Sequence, residues 1–157
     1  MTICANTAKH LREVYFGGNW TWSNLRDQLK DVTWEEATRK IGDLNTIATL
    51  TYHIHYFTTG IMQVLQKEPL TTKDALSFSH PPINNAHDWE QFREKIWREA
   101  ETLASLIDQL PDDILAQDFS DKKYGSYFRN FHGFIEHTHY HLGQIALIKK
   151  LVKSGKS

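Results

Sequence analysis

The sequence predicts an all-α protein whose four long helices form a four-helix bundle. Four segments carry apolar residues at steps of three and four, which is the spacing of one helix face. Clusters of Gly, Pro, Asn and Ser separate these segments, and no stretch alternates apolar and polar residues as a half-buried strand does. A chain of 157 residues usually forms one domain, so we assign residues 1–157 to a single bundle.

The first helix is predicted over residues 3–16. It ends at Gly17 and Gly18, because paired glycines favour open or left-handed backbone over helix. Trp20 and Trp22 follow in a connecting segment. Large aromatic side chains in a connector usually anchor it to the core, so we expect both tryptophans to be buried.

Two short helical turns are predicted between the first and second long helices. Ser23 is placed to cap a turn that runs through Leu29. Thr33 and Glu36 have the three-residue spacing of a capping box, which indicates a second turn.

The second long helix is predicted to begin after Asn45 as its cap and to run to about Gln66. Pro69 ends the pattern, since proline cannot continue a helix. Residues 69–87 then form a polar connector. The apolar face of this helix consists of Ile47, Leu50, Ile54, Phe57, Ile61, Val64 and Leu65.

The third helix is predicted from the cap Asp88 to about Leu110, and the fourth from the cap Ser126 to about Lys153. Residues 112–125 connect them. Both this connector and the previous one are long enough to permit a crossover topology. The third helix carries the stripe Phe92, Ile96, Leu103, Leu106, Ile107 and Leu110, and the fourth carries Tyr127, Phe131, Phe134, Ile145, Ile148 and Val152.

Composition excludes several classes of protein. The 18 Lys and Arg residues against 19 Asp and Glu give a net charge of -1, without the basic excess of a nucleic-acid-binding protein. Cys4 is the only cysteine, so an internal disulfide and a thiolate zinc site are both excluded. The N-terminal segment lacks the features of a signal peptide, and no apolar run reaches the length of a membrane span. We therefore expect a cytoplasmic protein with no nucleic-acid or membrane partner.

Histidines are unusually frequent, with nine in the chain, and three of them lie in one five-residue stretch of the last predicted helix. His137 and His141 are one turn apart and share a face, whereas His139 points away from it. On the second helix, His53 continues the apolar stripe at steps of three and four. His55 is rotated from it by about 200° and should point away.

Three histidines from two helices are therefore expected to converge. A buried neutral imidazole needs partners for both nitrogens, and these partners can be hydrogen-bonding groups or a metal ion. His53, His137 and His141 would suit zinc with one open coordination position, and imidazole also suits nickel, copper and iron. The residue pattern is compatible with either a metal site or a hydrogen-bonded core. We interpret His10, His80 and His87 as surface or loop residues, and we interpret Cys4 as a packing residue.

Several motifs resemble the DinB/YfiT-like superfamily. His137-x-x-x-His141 followed by Leu-Gly-Gln-Ile is similar to its last-helix motif, and Asn45-Thr-Ile-Ala with His53-Ile is similar to its second-helix motif. Trp20-Thr after the glycine pair and Tyr124-Gly-Ser before the last helix fit a subgroup. The resemblance extends over nearly the whole chain. It implies a four-helix bundle, often dimeric, in which His53, His137 and His141 hold a divalent metal, with Gly143 and Gln144 following the pattern.

The resemblance also implies a range of functions. Characterised members are described as metal-dependent S-transferases that use bacillithiol or mycothiol, or as a mycothiol-dependent isomerase, and a glutathione-using branch exists. We therefore expect a homodimer that activates a small thiol toward an electrophile at the three-histidine site. The alternatives are a metal-dependent hydrolase and a metal- or ligand-binding stress protein without catalysis.

Helical phase suggests which polar residues surround such a site. Asn130, Gln144 and Tyr15 are expected to line the pocket as positioning groups. Glu136 is about 100° from the ligand face, so we interpret it as a surface carboxylate rather than an acceptor for a ligand N–H.

Overall fold

The protein is described by a computed structural model in which residues 1–155 are placed, and all regular structure in that range is helical. This confirms the predicted all-α class. Short 3-10 turns lie in the connectors, at Asp74–Leu76, Asp112–Ala116 and Lys122–Tyr124. The α-helices are α1 (Ile3–Phe16), α2 (Leu25–Leu29), α3 (Trp34–Thr38), α4 (Ile47–Leu65), α5 (Ala86–Asp108) and α6 (Tyr127–Lys153).

The four long helices pack around one apolar core. Helices α1 and α4 each pack along both α5 and α6, so α1 lies diagonally opposite α4, and α5 lies diagonally opposite α6. A hydrogen bond of 3.1 Å between the Tyr15 and Thr58 hydroxyls joins the diagonal pair α1 and α4 through the buried centre. The connections from α1 to α4 and from α5 to α6 therefore cross between helices that are not neighbours, as their length permits.

The short helices α2 and α3 are tied to α5 by Trp89. Its indole N–H donates to the backbone carbonyl of Val32 over 2.9 Å, and the ring is almost fully buried. Arg93, one turn further along α5, donates to the carbonyl of Leu29. These two bonds hold the end of α2 and the residues that follow it against α5.

The first residue of each helix is determined by the side chain that caps it. Thr33 and Glu36 form the predicted capping box, and Ser126 caps α6 as predicted. Three other predicted caps are wrong by one to three residues. Thr46 caps α4 in place of Asn45, Asn24 caps α2 in place of Ser23, and Asn85 caps α5 in place of Asp88.

These errors share a cause, which is that neighbouring residues have equally good capping chemistry. The cap is the residue that keeps an extended backbone while its side chain accepts from the amide three positions later. Asp88 occupies that later position, and its carboxylate accepts from the Asn84 amide and from the Asn85 side chain. It therefore supports the cap from inside the first turn.

The loop after α1 differs most from the prediction. Trp20 and Trp22 are 96% and 94% exposed, so the expectation that both are buried is wrong. The buried residue is Asn19, whose amide donates to the carbonyls of Glu13 and Ser23 and whose oxygen accepts from Thr21. An amide that both donates and accepts can hold a loop through hydrogen bonds, so no aromatic anchor is required.

The connector between α4 and α5 is bound along the surface of α4. The Gln63 side chain exchanges hydrogen bonds with Thr71, and the Tyr56 hydroxyl accepts from the amide of Lys73. Gly60 permits this contact, because a Cβ there would lie 2.9 Å from Cγ2 of Thr72. The connector is thereby brought to the face of α4 that carries His53.

Within residues 1–155, none of the helices combines the length and the apolar character needed to cross a bilayer.

The start of α4 gives a direct test of the capping pattern. Thr46→Ala is expected to lower the free energy of unfolding by about 1 kcal/mol, because the Thr49 amide loses its acceptor. The adjacent exposed Asn45 makes no capping bond, so Asn45→Ala is the matched control and should change stability by less than about 0.5 kcal/mol. Urea unfolding of both variants measures the difference, and a greater loss for Asn45→Ala would contradict it.

Candidate metal centre

Helices α4 and α6 bring His53, His137 and His141 together, as helical phase predicts. Nε2 of His53 lies 2.9 Å from Nε2 of His137, and the three ring centroids are 4.4 to 4.8 Å apart. One nitrogen from each ring can be chosen so that all three lie within 4.8 Å of one another. His53 and His141 are buried and His137 is half-buried. The three histidines are therefore close enough to hold one metal ion.

The outer nitrogen of His53 is held by the connector. Nδ1 of His53 lies 2.9 Å from Oγ of Ser77, and the Ser77 hydroxyl donates to the carbonyl of Asp74 over 2.7 Å. Since the only hydroxyl proton of Ser77 is used in that bond, its oxygen accepts from Nδ1–H of His53. Neutral His53 consequently carries its lone pair on Nε2, which faces the other two rings.

Gln144 has the same effect on His141. Oε1 of Gln144 lies 2.7 Å from Nδ1 of His141, one turn away on α6. A carbonyl oxygen can only accept, so Nδ1 carries the proton and Nε2 carries the lone pair. Such outer hydrogen bonds fix the ring orientation and raise the basicity of a metal-binding histidine. Gln144 thus orients His141 as a positioning group, but it does not line the adjoining cavity in which it is predicted to lie.

Aromatic rings enclose the histidines on two sides. Phe78 stacks on His53 with ring centroids 4.0 Å apart and an interplanar angle of 13°. Phe57 makes an edge-to-face contact with both His53 and His137, with ring centroids 5.1 Å apart in each case. These contacts remove water from the rings and restrict their rotation.

This environment disfavours charge on the histidines. Burial lowers the pKa of His137 to about 4, and the nearby rings of His141 and His53 add to the effect. Burial also lowers the pKa of His53 and of His141, although the Gln144 hydrogen bond opposes the shift at His141. The three rings are therefore neutral at pH 7, and each has one nitrogen with a lone pair, which is the form of histidine that binds a metal ion.

The donor set fits a divalent metal with open coordination positions. Three neutral imidazoles without a carboxylate suit zinc and other borderline ions. Two imidazole nitrogens on a tetrahedral zinc ion are about 3.3 Å apart, given zinc–nitrogen distances of about 2.0 Å. The 2.9 Å between the Nε2 atoms of His53 and His137 differs from this by a few tenths of an ångström. A small movement of either ring would accommodate the ion.

A cavity of about 530 Å³ adjoins the centre between α4 and α6, and His137 forms part of its wall. Asn130 also lines it, as predicted, while its amide donates to the carbonyls of Tyr124 and Ser126. Tyr15 does not line this cavity, and its predicted place in the pocket is wrong. It is 1% exposed and bonds Thr58 in the core, because the face of α1 that carries it packs inward.

The other histidines stay outside the cluster. His139 points away from it, as predicted, with its ring 6.0 Å from that of His10 on α1. His55 also points away, but it is buried, and burial lowers its pKa to about 4, with Lys95 adding to the shift. The Glu99 carboxylate lies 3.2 Å from its Nε2, but out of line for a hydrogen bond. Glu136 is exposed, in agreement with its interpretation as a surface carboxylate.

Four residues of the metal centre and its cavity are not predicted from the sequence. Ser77 and Phe78 lie in a connector whose path no periodicity indicates. Arg129 and Gly133 line the cavity and share a helix face with His137, at spacings of eight and four residues. That spacing was a usable signal for both.

A scan of protein-family models finds no match to this chain, and searches of curated proteins and of solved structures find none either.

The hydrogen bond to His141 should affect metal affinity. Gln144→Met keeps the length of the side chain but removes the acceptor, so metal affinity is expected to fall about 10- to 100-fold. Competition with a chromophoric chelator measures this. Gln109 is exposed and directly follows α5, so Gln109→Met is the matched control. It should leave the metal affinity unchanged. Equal affinity in both variants would show that Gln144 does not support the ligand.

Acid should destabilise the metal-free protein in a defined window. The lowered pKa of His137 means that the unfolded state binds a proton below about pH 6.5, whereas the folded state does so only near pH 4. Stability should therefore fall as the pH decreases from about 6.5 to about 4. Thermal unfolding in chelator at pH 7.5 and 5 measures the loss, and His137→Gln should show a smaller one. The same loss in both proteins would contradict the assignment to His137.

Proposed function

We propose that this protein is a metal-dependent transferase of the DinB/YfiT-like type, which activates a low-molecular-weight thiol at His53, His137 and His141. Zinc is the ion we propose first, with nickel as the next choice. The observation that supports this best is the convergence of three neutral imidazoles from two helices, with the lone pairs of His53 and His141 directed inward by Ser77 and Gln144.

Hydrogen bonds hold the cluster together in the metal-free protein. His53 and His141 are buried, His137 is half-buried, and Nε2 of His137 donates to Nε2 of His53. A bound cation would take the place of the proton in that hydrogen bond and would bind a lone pair from each ring. The cluster contains no carboxylate, so a bound ion would keep its full positive charge.

The chemistry follows from that charge. A divalent ion bound by three imidazoles lowers the pKa of a coordinated thiol, so that thiolate is present at neutral pH. In the proposed reaction the thiolate sulfur forms a bond to an electrophilic carbon, and the bond from that carbon to its leaving group breaks. The leaving group departs with the electron pair, and the thiol proton passes to solvent. The cavity beside His137 supplies space for the organic substrate.

Metal content tests the centre itself. Protein purified without an affinity tag is expected to hold about one equivalent of divalent metal, measured by elemental analysis. His53→Ala, His137→Ala and His141→Ala should each lose it, because a site reduced to two ligands binds weakly. His139→Ala is the matched control on the same helix and should retain the full equivalent. Metal loss in the control, or retention in a ligand variant, would reject the proposed ligands.

The reaction is tested by its dependence on thiol. Metal-loaded protein is mixed with chlorodinitrobenzene and several small thiols, and product is followed by absorbance. Turnover that requires thiol and disappears in His137→Ala is the expected result. Loss of electrophile in buffer alone would indicate a hydrolase. No turnover of either kind, with a ligand-dependent change of oligomeric state, would indicate a binding protein.

A further inference from the structure

We propose that the cavity between α4 and α6 binds an elongated organic anion, with its charged group at Arg129, its apolar chain along the cavity and its other end at His137. This inference rests on the proposed function for the role of the histidine end. It adds the class of substrate that the site selects.

The cavity is long rather than round. Arg129 and His137 both line it and are eight residues apart on α6, which corresponds to about 12 Å at 1.5 Å per residue. On α4, the Phe57 ring contacts His137 at 5.1 Å, while Gly60 and Ile61 lie about one turn further from the histidines. The space therefore extends from the metal centre toward the start of α6.

Most of the wall along this length is apolar. Side chains from both helices and both long connectors contribute to it, namely Phe57, Ile61, Leu70, Phe119 and Phe134. Transfer of a hydrocarbon segment from water to this apolar wall would be favourable. The middle of the ligand is therefore expected to be apolar.

Arg129 gives the far end a positive charge. Within residues 1–155 its guanidinium forms no ion pair or hydrogen bond, and its backbone amide donates to Ser126. Gly125 makes room for it, since a Cβ at that position would lie 2.8 Å from Cδ of Arg129. An unpaired guanidinium at the wall of an apolar cavity suits a carboxylate, which it can bind through two parallel hydrogen bonds.

The other ionised side chain of the cavity wall lies toward the opposite end. The backbone carbonyl of Asp74 accepts from Ser77, which itself contacts Nδ1 of His53, so Asp74 is located near the histidines. An anionic group is therefore repelled from the histidine end of the metal-free protein and attracted to Arg129. This charge distribution sets one orientation for the ligand.

Gly133 keeps the cavity open. It lies between the two ends on α6, and a Cβ there would meet no atom within 4 Å. A larger side chain can therefore enter the cavity without a clash with the protein. Gly143 offers a matched position, because it is also helical and also has open space at its Cβ, but it does not line the cavity.

The test compares octanoate with octanamide, which has the same chain and no charge, by calorimetry. Metal-free protein is used so that the carboxylate cannot bind a metal ion. Octanoate is expected to bind at least about ten-fold more tightly than octanamide. Arg129→Gln should abolish this preference, and Arg129→Lys should keep part of it. Gly133→Leu should lose both ligands, whereas Gly143→Leu should bind both as the wild type does.

Equal affinities for the two ligands, or an unchanged preference in Arg129→Gln, would overturn the inference. Binding that survives Gly133→Leu would place the ligand elsewhere and would overturn it as well. The zinc-loaded protein separates this failure from that of the proposed function. Zinc should increase the affinity for mercaptooctanoate, and the His137→Ala variant should show no such increase. Octanoate preference without zinc binding would reject the metal function alone, and zinc binding without that preference would reject this inference alone.

Discussion

The register of α4 against α6 is the constraint on which the rest of the site depends. His53 meets His137 and His141 only because the two helices pack with these turns at the same level. A shift of one turn would move a ring by about 5.4 Å, which is more than the largest separation of 4.8 Å within the cluster. The core residues on both helices therefore fix the site as well as the fold. A mutation in their packing would act on the centre without touching a ligand.

The site also carries a cost that the core must offset. Burial disfavours the charged form of all three histidines, and each neutral ring still needs a partner at both nitrogens. Ser77 and Gln144 satisfy the outer nitrogens of His53 and His141, and His137 hydrogen-bonds the inner nitrogen of His53. Burial therefore disfavours a proton on these rings, but hydrogen bonds satisfy the neutral forms. A bound cation would replace the hydrogen bond between His53 and His137 with bonds to the metal.

Much of this could be predicted from sequence because helical phase is a local property. The steps between Leu50, His53 and Phe57, and the four-residue spacing of His137 and His141, determine which rings face inward. Burial of Trp20 and Trp22 was predicted wrongly because the anchoring of a loop depends on contacts that are remote in sequence. Helical phase shows which face of α1 is buried, but it does not show which neighbouring helix covers that face. For this reason the sequence could not show that Tyr15 packs in the core instead of lining the pocket. The same limit applies to His55, which points away from the centre but is covered by α5.

The connector between α4 and α5 shows why the metal centre and the cavity belong together. Ser77 orients His53, Phe78 stacks on it, and Leu70 and Thr72 form part of the cavity wall. This one segment thus contacts both parts, and it can approach α4 closely only because residue 60 is a glycine. A Cβ there would lie 2.9 Å from Cγ2 of Thr72, so the Thr72 side chain would have to move away from α4. The segment that sequence periodicity describes least is therefore the one that couples the ligand geometry to the shape of the cavity.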